Sequence, residues 1–535
     1  MGAEQGPHNV ISARGHPLCR SLRTPHVLTP SRTDLRHASY GVVSTLLGMG
    51  AAHLLAGLTV PAASPVLAVG STVIDLTPTP LKEWAIRTFG SADKIVLVGS
   101  VVVVVLLLAA LTGVLAGRRP TAGLIALVGL AAVAGALAAT RPAAGPLDLL
   151  PALLAAAVGA TALWWLTRLD DRATDGPPDG AGGPSRRGVV LATGGLAAGA
   201  VALGGLGRWA ASYRLGGTDV TLPEATGPAP AFPRGLEERV PGITPLRTPT
   251  RDFYRVDTRL SLPVVDVDEW TLTIDGDVDQ EVTLTFADLA AMGVVERDIT
   301  LTCVSNPVGG PYVGGARWLG VPLRDVLDKA GISRTRADQI LSTDVDGMTI
   351  STPLRVALDG RDSLIAIGMN GEPLPRENGF PARMVVPGLY GFVSACKWIS
   401  RMTLTTYDDE LAYWTERDWV TDAPIKLSSR IDTPRPLSDQ APGKVVIGGI
   451  AWAQGVGIGR VEVRVDGGAW QRAELGPEVD DDYWRQWFLE WDAQPGQHFL
   501  ACRAVDKDGQ VQTPVRTTPF PSGSTGVHEI AVNVS

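Results

Sequence analysis

The stretch "RDITLTCVSNPVGGPYVGGARWLGVPL", residues 297–323, carries both the fold and the chemistry of this chain. Its apolar opening reads as a β-strand, and Cys303 ends that strand just before a loop of Asn, Pro and Gly. A side chain at such a junction points into a cleft. A thiolate is a soft donor, suited to a high-valent metal that already carries sulfur ligands. The competing reading of a lone cysteine is an inert, buried one. The four cysteines, Cys19, Cys303, Cys396 and Cys502, lie far apart without a CxxC or CxxCH pattern. That spacing argues against zinc, an iron–sulfur cluster, covalent haem and a disulfide framework.

Two further stretches favour the metal. In "MNGEPLPRENGFPARMVVPGLYGFVSACKWI", residues 369–399, Arg383, Ser394 and Lys397 stand among glycines and prolines. A planar arginine fork and a lysine point charge suit an anionic phosphate, and glycine lets backbone N–H groups approach it. Upstream, "TPTRDFYRVDTRLSLPVVD", residues 248–266, joins aromatic and basic residues in a turn-like setting.

Outward from these, the texture is α+β from Thr250. "EWTLTIDGDV" reads as a strand ending in a turn, while "TFADLAAM" and "VPLRDVLDKAGI" read as short amphipathic helices. After about Asp422 strands alternate with turn signals. Hairpins are expected around Asp466-Gly467-Gly468 and around Asp508-Gly509. The expected architecture there is an antiparallel sandwich of immunoglobulin type.

The N-terminal two-fifths differ in kind. Apolar runs at Tyr40–Val60, Ile95–Ala116, Thr121–Thr140, Leu147–Leu166 and Gly188–Leu206 each approach the ~20 residues that a membrane-spanning helix needs. Pro61–Gly90 reads as an interfacial loop, and Gly195 with Gly199 forms a GxxxG pair suited to helix packing. Arginine asymmetry sets the orientation. Arg14, Arg20, Arg23, Arg32 and Arg36 precede the first run, Arg118 and Arg119 follow the second, and Arg168, Arg172, Arg186 and Arg187 follow the fourth. Five spans with the N-terminus inside place everything after Arg208 outside the cytoplasm. Ser185-Arg186-Arg187 resembles a twin-arginine export signal, and also reads as two positive-inside arginines. His53 is the one histidine within a span, so this chain alone supplies no bis-histidine haem site. The net charge of −8 is modest and the basic residues of the soluble part are scattered, which gives no footprint for nucleic acid.

Residues 247–407 resemble the molybdopterin domain of the sulfite oxidase family, and residues 421–534 resemble its dimerisation domain. The "LTCVSN" block and the 369–399 segment carry the likeness. It implies a molybdenum–molybdopterin cofactor with Cys303 as the protein ligand to the metal. It further implies cofactor contacts from Tyr254, Arg255, Asn306, Thr343, Asn378, Arg383, Ser394 and Lys397, with Arg259 as the catalytic, substrate-facing arginine. There are departures. Pro307 and Val308 replace the arginines that follow the family's cysteine block, Trp419 replaces its active-site tyrosine, and "PFPSGSTGVHEI" holds no counterpart of its C-terminal arginine. The metal centre therefore reads as intact and the sulfite pocket as dismantled.

The expected layout is a cytoplasmic tail (1–38), a membrane anchor of about five helices (39–207), a linker (208–248), the molybdopterin domain (249–420) and the immunoglobulin-like domain (421–535). The expected activity is two-electron oxygen-atom transfer on a small or sulfur-containing substrate. Electrons pass to an external cytochrome or quinone-linked carrier, and a homodimer is implied through the last domain. Two alternatives stay open: reduction of protein methionine sulfoxide, to which Asn378 is well matched, and a membrane-tethered binding protein whose active site is dead.

Overall fold

Alternating burial along Thr271–Gly276 (β1) and full burial along the apolar run Leu364–Met369 (β7) mark two kinds of strand in the catalytic half. A strand with one wet face alternates, whereas a strand covered on both faces need not. In the computed structural model, which describes residues 31–535 except 79–80, 82–83, 85–87, 90–92, 142–143, 176–184 and 215–219, they fall into two sheets.

The first sheet joins β1 to Val282–Thr285 (β2), Gln339–Asp344 (β5), Thr349–Pro353 (β6) and Ile399–Thr405 (β10) in the order β2-β1-β10-β5-β6. Only β1 and β10 run parallel; the other pairs are antiparallel. The second sheet is antiparallel, with Val295–Thr302 (β3), Val313–Pro322 (β4), β7 and Glu372–Pro373 (β8) in order, and Arg383–Val385 (β9) on β7. Fully buried Leu272, Ile274, Val321, Leu323, Ile340, Ile365, Met384 and Ile399 fill the main core, and Trp318 anchors a second one with Phe253, Ile299 and Leu301. The two helix readings hold, over Phe286–Ala291 and Leu323–Asp328; the first is closed by a capping box between Thr285 and Asp288.

Beyond residue 427 the chain forms two further sheets packed on one core. One has Ser428–Thr433 (β11), Gly443–Trp452 (β13), Glu474–Leu475 (β16) and Arg485–Ala493 (β17). The other has Asp439–Gln440 (β12), Ile458–Val465 (β14), Gln471–Arg472 (β15), Gly496–Asp506 (β18) and His528–Val534 (β19). The hairpin around Asp466-Gly467-Gly468 is present, with Glu462 opposite Arg472. The one expected around Asp508-Gly509 shrinks to a single bridge between Val505 and Val511. There β18 pairs with β14 and β19 instead, because those longer ladders satisfy more of its backbone.

The proline-rich segment 220–248 is not extended throughout, because Arg239 N–H and Val240 N–H both turn back to Leu236 O, and it lies against both folded units. Ala229 N–H donates to Glu296 Oε2 (3.0 Å), Leu236 N–H donates to Gln486 Oε1 (2.7 Å), and Leu246 O accepts from both Tyr483 and Trp484.

Among the described residues, five helices are long and apolar enough to cross a membrane. These are Arg32–Leu58 (α1), Asp93–Arg118 (α3), Pro120–Ala139 (α4), Leu150–Asp175 (α5) and Arg186–Arg214 (α6). The stretch read as a loop contains a helix, Pro65–Leu76 (α2), started by Pro at its first position and too short to span. Helix α1 is central. A Cβ on Gly41 would stand 2.0 Å from Ala109 O, so only glycine admits α3 this closely. The expected Gly195/Gly199 pair does not pack the bundle. Gly195 has nothing within 4 Å, and Gly199 meets only a Leu47 methyl at 3.4 Å. Arg36–Asp170 (2.9 Å) and Arg118–Asp34 (2.9 Å) tie the start of α1 to the ends of α5 and α3. Thus α2 and the chain that leaves α6 emerge from the opposite end of the bundle.

Gly41→Leu is expected to lower stability by about 1–3 kcal/mol, as overpacking does, and Gly195→Leu by less than about 0.5 kcal/mol. Thermal unfolding in detergent separates them; equal losses would contradict the central packing of α1.

Candidate active site

Strand β3 ends at Thr302, so Cys303 begins the loop that leads into β4. The loop is fastened at every turn. Cys303 N–H donates to Tyr312 O (3.0 Å), Asn306 N–H to Cys303 O (3.0 Å) and Gly310 N–H to Pro307 O (2.8 Å). The C-terminal unit adds Ser524 Oγ donating to Asn306 O (2.6 Å) and Arg430 Nη1 donating to Gly310 O (2.7 Å). Burial raises the Cys303 thiol; the Ser305 N–H, 3.4 Å from Sγ, and the charge of Lys397 pull it back.

Arg383 opens β9 and lies buried, with its guanidinium 5.1 Å above the centre of the Trp318 ring. It donates from Nη1 to Asn378 O (3.0 Å), while its Nε makes no hydrogen bond within the protein. Asn378 Oδ1 is likewise buried and without a partner. Among the described residues no carboxylate lies within salt-bridge distance of Arg383, and burial brings its pKa down to about 10. It stays charged near neutral pH, and a buried charge without a counter-ion is costly. Tyr254 stacks on Phe253 at 5.2 Å, and burial raises its hydroxyl pKa, with the Cys303 thiol adding to the rise and the Arg383 charge opposing it.

Lys397 completes the cluster. Its Nζ donates to Asp257 (2.7 Å) and to Glu377 O (3.1 Å). Burial lowers its pKa to about 8 although Asp257 pulls upward. Between the two cations sits Gly379, with φ +112°, where a Cβ would stand 3.1 Å from the Cβ atoms of both Arg383 and Lys397.

Other expected contacts are placed differently. Arg255 is exposed and paired with Asp257 (2.8 Å). Arg259 is held by Asp344 and by Asp346 (3.1 Å), so its charge is already matched by two carboxylates. Asn306 closes its own loop by accepting from Tyr312 N–H (2.9 Å). Ser394 donates to Leu389 O (3.0 Å) and Tyr390 O (3.1 Å), capping a turn. Thr343 lies within β5, where its carbonyl accepts from Ser400 Oγ (3.2 Å). Cys303, Tyr254, Asn378, Arg383 and Lys397 therefore gather together, while Arg255, Arg259 and Thr343 stand toward the rim.

Sequence reasoning missed Asp257, Asp344 and Trp318. The spacing of Asp257 two residues before Arg259 was a usable signal; the partnership of Asp344 was not, because it lies 85 residues away. Among the described residues no group of three or more His, Cys, Asp or Glu side chains is placed to hold a metal. A single buried thiol suits a metal whose remaining ligands arrive with a cofactor. The unpartnered Arg383 Nε and Asn378 Oδ1 suit the polar, anionic part of such a cofactor.

Comparison with known proteins agrees with that chemistry. Residues 259–414 match the family described as "Oxidoreductase molybdopterin binding domain". Mitochondrial sulfite oxidase of Macaca fascicularis is 33% identical over 315 residues, and that of Homo sapiens 34% over 315 residues; each alignment covers 50% of this chain and 57% of the relative. The chain thus spans little more than half the length of these relatives. The solved sulfane dehydrogenase SoxCD from Paracoccus pantotrophus is similar at 23% identity and a TM-score of 0.48, covering 55% of this chain and 84% of that one.

Arg383→Ala is expected to lower the molybdenum and pterin content of purified protein at least about tenfold, the equivalent of ~1.4 kcal/mol. Arg383→Lys keeps the charge without the fork and should fall between. Arg255→Ala should change it less than about twofold, since that charge is exposed and paired. A second expectation concerns pH. Lys397 is lowered to about 8, so above that pH it loses its proton. Affinity of cofactor-free protein for inorganic phosphate should then fall, by up to about tenfold per pH unit. Titration calorimetry checks this, and Lys397→Met should flatten the profile.

Proposed function

We propose that the chain is a membrane-anchored enzyme of two-electron oxygen-atom transfer, of the sulfite oxidase-like kind whose molybdopterin-binding domain its residues 259–414 match. When bound, the molybdenum–pterin group supplies the redox chemistry. The chain's own residues do the rest. Cys303 ligates the metal, and Arg383 and Lys397 hold the anionic tail on either side of Gly379. Asn378 offers its free acceptor. The observation that supports this reading is the buried guanidinium of Arg383, which meets no carboxylate among the described residues and whose Nε, like the neighbouring Asn378 Oδ1, makes no hydrogen bond within the protein.

The substrate is small or sulfur-containing. In the oxidative direction it takes one oxygen atom from water and releases two electrons and two protons; the reductive direction is the reverse. The pairing of Arg259 with Asp344 and Asp346 leaves no net cation there for a dianion, which favours a neutral substrate such as a sulfoxide over sulfite. Electrons pass to an external carrier, a cytochrome or a quinone-linked partner. The arginine asymmetry, with Arg186 and Arg187 opening α6, favours an extracytoplasmic position for the catalytic units. Those two arginines suit export of an already folded, cofactor-loaded unit. The C-terminal pair of sheets we read as the family's immunoglobulin-like dimerisation unit.

Protein from native membranes is expected to contain molybdenum and pterin, and Cys303→Ser should reduce turnover to background. Steady-state assays with sulfite and ferricyanide, and with a sulfoxide and a reduced donor, distinguish the directions. A wild-type protein without molybdenum, or full activity in Cys303→Ser, would defeat the assignment.

A further inference from the structure

Helix α2 touches the catalytic unit at two points, and both lie on one feature of its rim. Gly70 faces Leu260: a Cβ there would stand 2.8 Å from Leu260 Cδ1. At the end of the same helix Asp75 Oδ1 accepts from the Tyr413 hydroxyl (3.1 Å). Leu260 follows Arg259, which holds Asp344 and Asp346 at the turn between β5 and β6. The Tyr413 backbone N–H donates to Thr349 Oγ1 (3.0 Å), at the start of β6. The two contacts therefore straddle the β5–β6 hairpin. From there the cation cluster is one relay inward, because Asp257 accepts from Arg259 N–H (3.0 Å) and from Lys397 Nζ (2.7 Å).

The topology of the anchor leads independently to the same place. Helix α2 lies between the first and second spans, and the catalytic unit follows the fifth. An odd number of crossings separates each from the N-terminus, so both lie on one side of the bundle. Its twelve apolar-rich residues are too few to span and are suited to the membrane surface.

We propose that α2 is a docking pad: an interfacial helix that seats the β5–β6 rim of the candidate site on the membrane unit and fixes the catalytic unit in its working orientation. The pad holds the rim about one helix diameter, ~10 Å, from the anchor. The site is then presented to whatever travels along the membrane surface, and the segment 215–249 acts as a connection between two docked bodies. Shape makes the first contact, with Leu260 Cδ1 seated 2.8 Å from where a Cβ at position 70 would stand. The second is a directed hydrogen bond that sets the azimuth.

The full-length chain in native membranes tests this. The double variant Gly70→Cys/Leu260→Cys places two thiols within reach of disulfide geometry. Mild oxidation is expected to join most of the chains, read as a cross-linked peptide by mass spectrometry. Thiols that both react with a maleimide yet do not join would overturn the pad. A second arm uses Gly70→Leu, which should prise the contact apart and raise alkylation of Leu260→Cys severalfold. Gly99→Leu, with nothing within 4 Å, should leave that rate unchanged. Equal rates in Gly70→Leu and the parent would also overturn the pad. Finally, the cross-linked chain should keep its turnover, and loss of turnover on locking would show that the docked form is not the working one. Only that last arm rests on the enzyme reading; cross-linking and alkylation stand without it, so failure of one is distinguishable from failure of the other.

Discussion

The guanidinium of Arg383 keeps its charge in a position from which water is nearly excluded and which no carboxylate shares. Nearby, Lys397 and Arg255 share the carboxylate of Asp257, and Arg259 pairs with Asp344 and Asp346. A protein that carries such a charge without compensation forfeits several kcal/mol of solvation unless an anion arrives from outside. The arrangement around Arg383 follows from that requirement. Trp318 supports the guanidinium from below, Asn378 O fixes one of its nitrogens, and Gly379, at φ +112°, lets the backbone turn close against the Cβ atoms of Arg383 and Lys397.

The thiol of Cys303 is positioned by a different means. A loop of Asn, Pro and Gly would be free to wander if it were fastened only by its own hydrogen bonds. Here the C-terminal sheets hold two of its carbonyl groups through Ser524 and Arg430. Gln454 reaches the preceding strand at Thr300 O (3.1 Å). The second unit thus sets the rigidity of the first unit's reactive loop, which gives a physical reason for the two to be carried on one chain. Preorganisation of this kind matters at a metal site, because a ligand displaced by a fraction of an ångström loses most of its value.

The membrane unit obeys another rule. Lipid offers helices no hydrophobic drive to associate, so close packing at small residues does the work. Gly41 against Ala109 and the ion pairs at the helix ends fix the bundle, and the bundle fixes the position of α2. Through α2 the constraint reaches the β5–β6 hairpin, and so the rim of the site.

The sequence by itself determined the segments with strong local signals. The five apolar runs had to be long helices, the strand before Cys303 had to end at the Asn/Pro/Gly loop, and the Asp466-Gly467-Gly468 turn had to make a hairpin. Its residue types also pointed to Cys303, Arg383 and Lys397 as suited to a thiolate-ligated metal and an anionic tail, whereas Asn378 came only with the family resemblance. Other features depended on partners distant along the chain. Local pattern contains no record that Asp344 would neutralise Arg259, that β18 would choose β14 and β19 over its own hairpin, or that Gly41 rather than Gly195 would carry the helix packing. Each is settled by which surfaces the tertiary structure brings together, since a charge, an edge strand or a bare backbone takes its role only from what lies opposite.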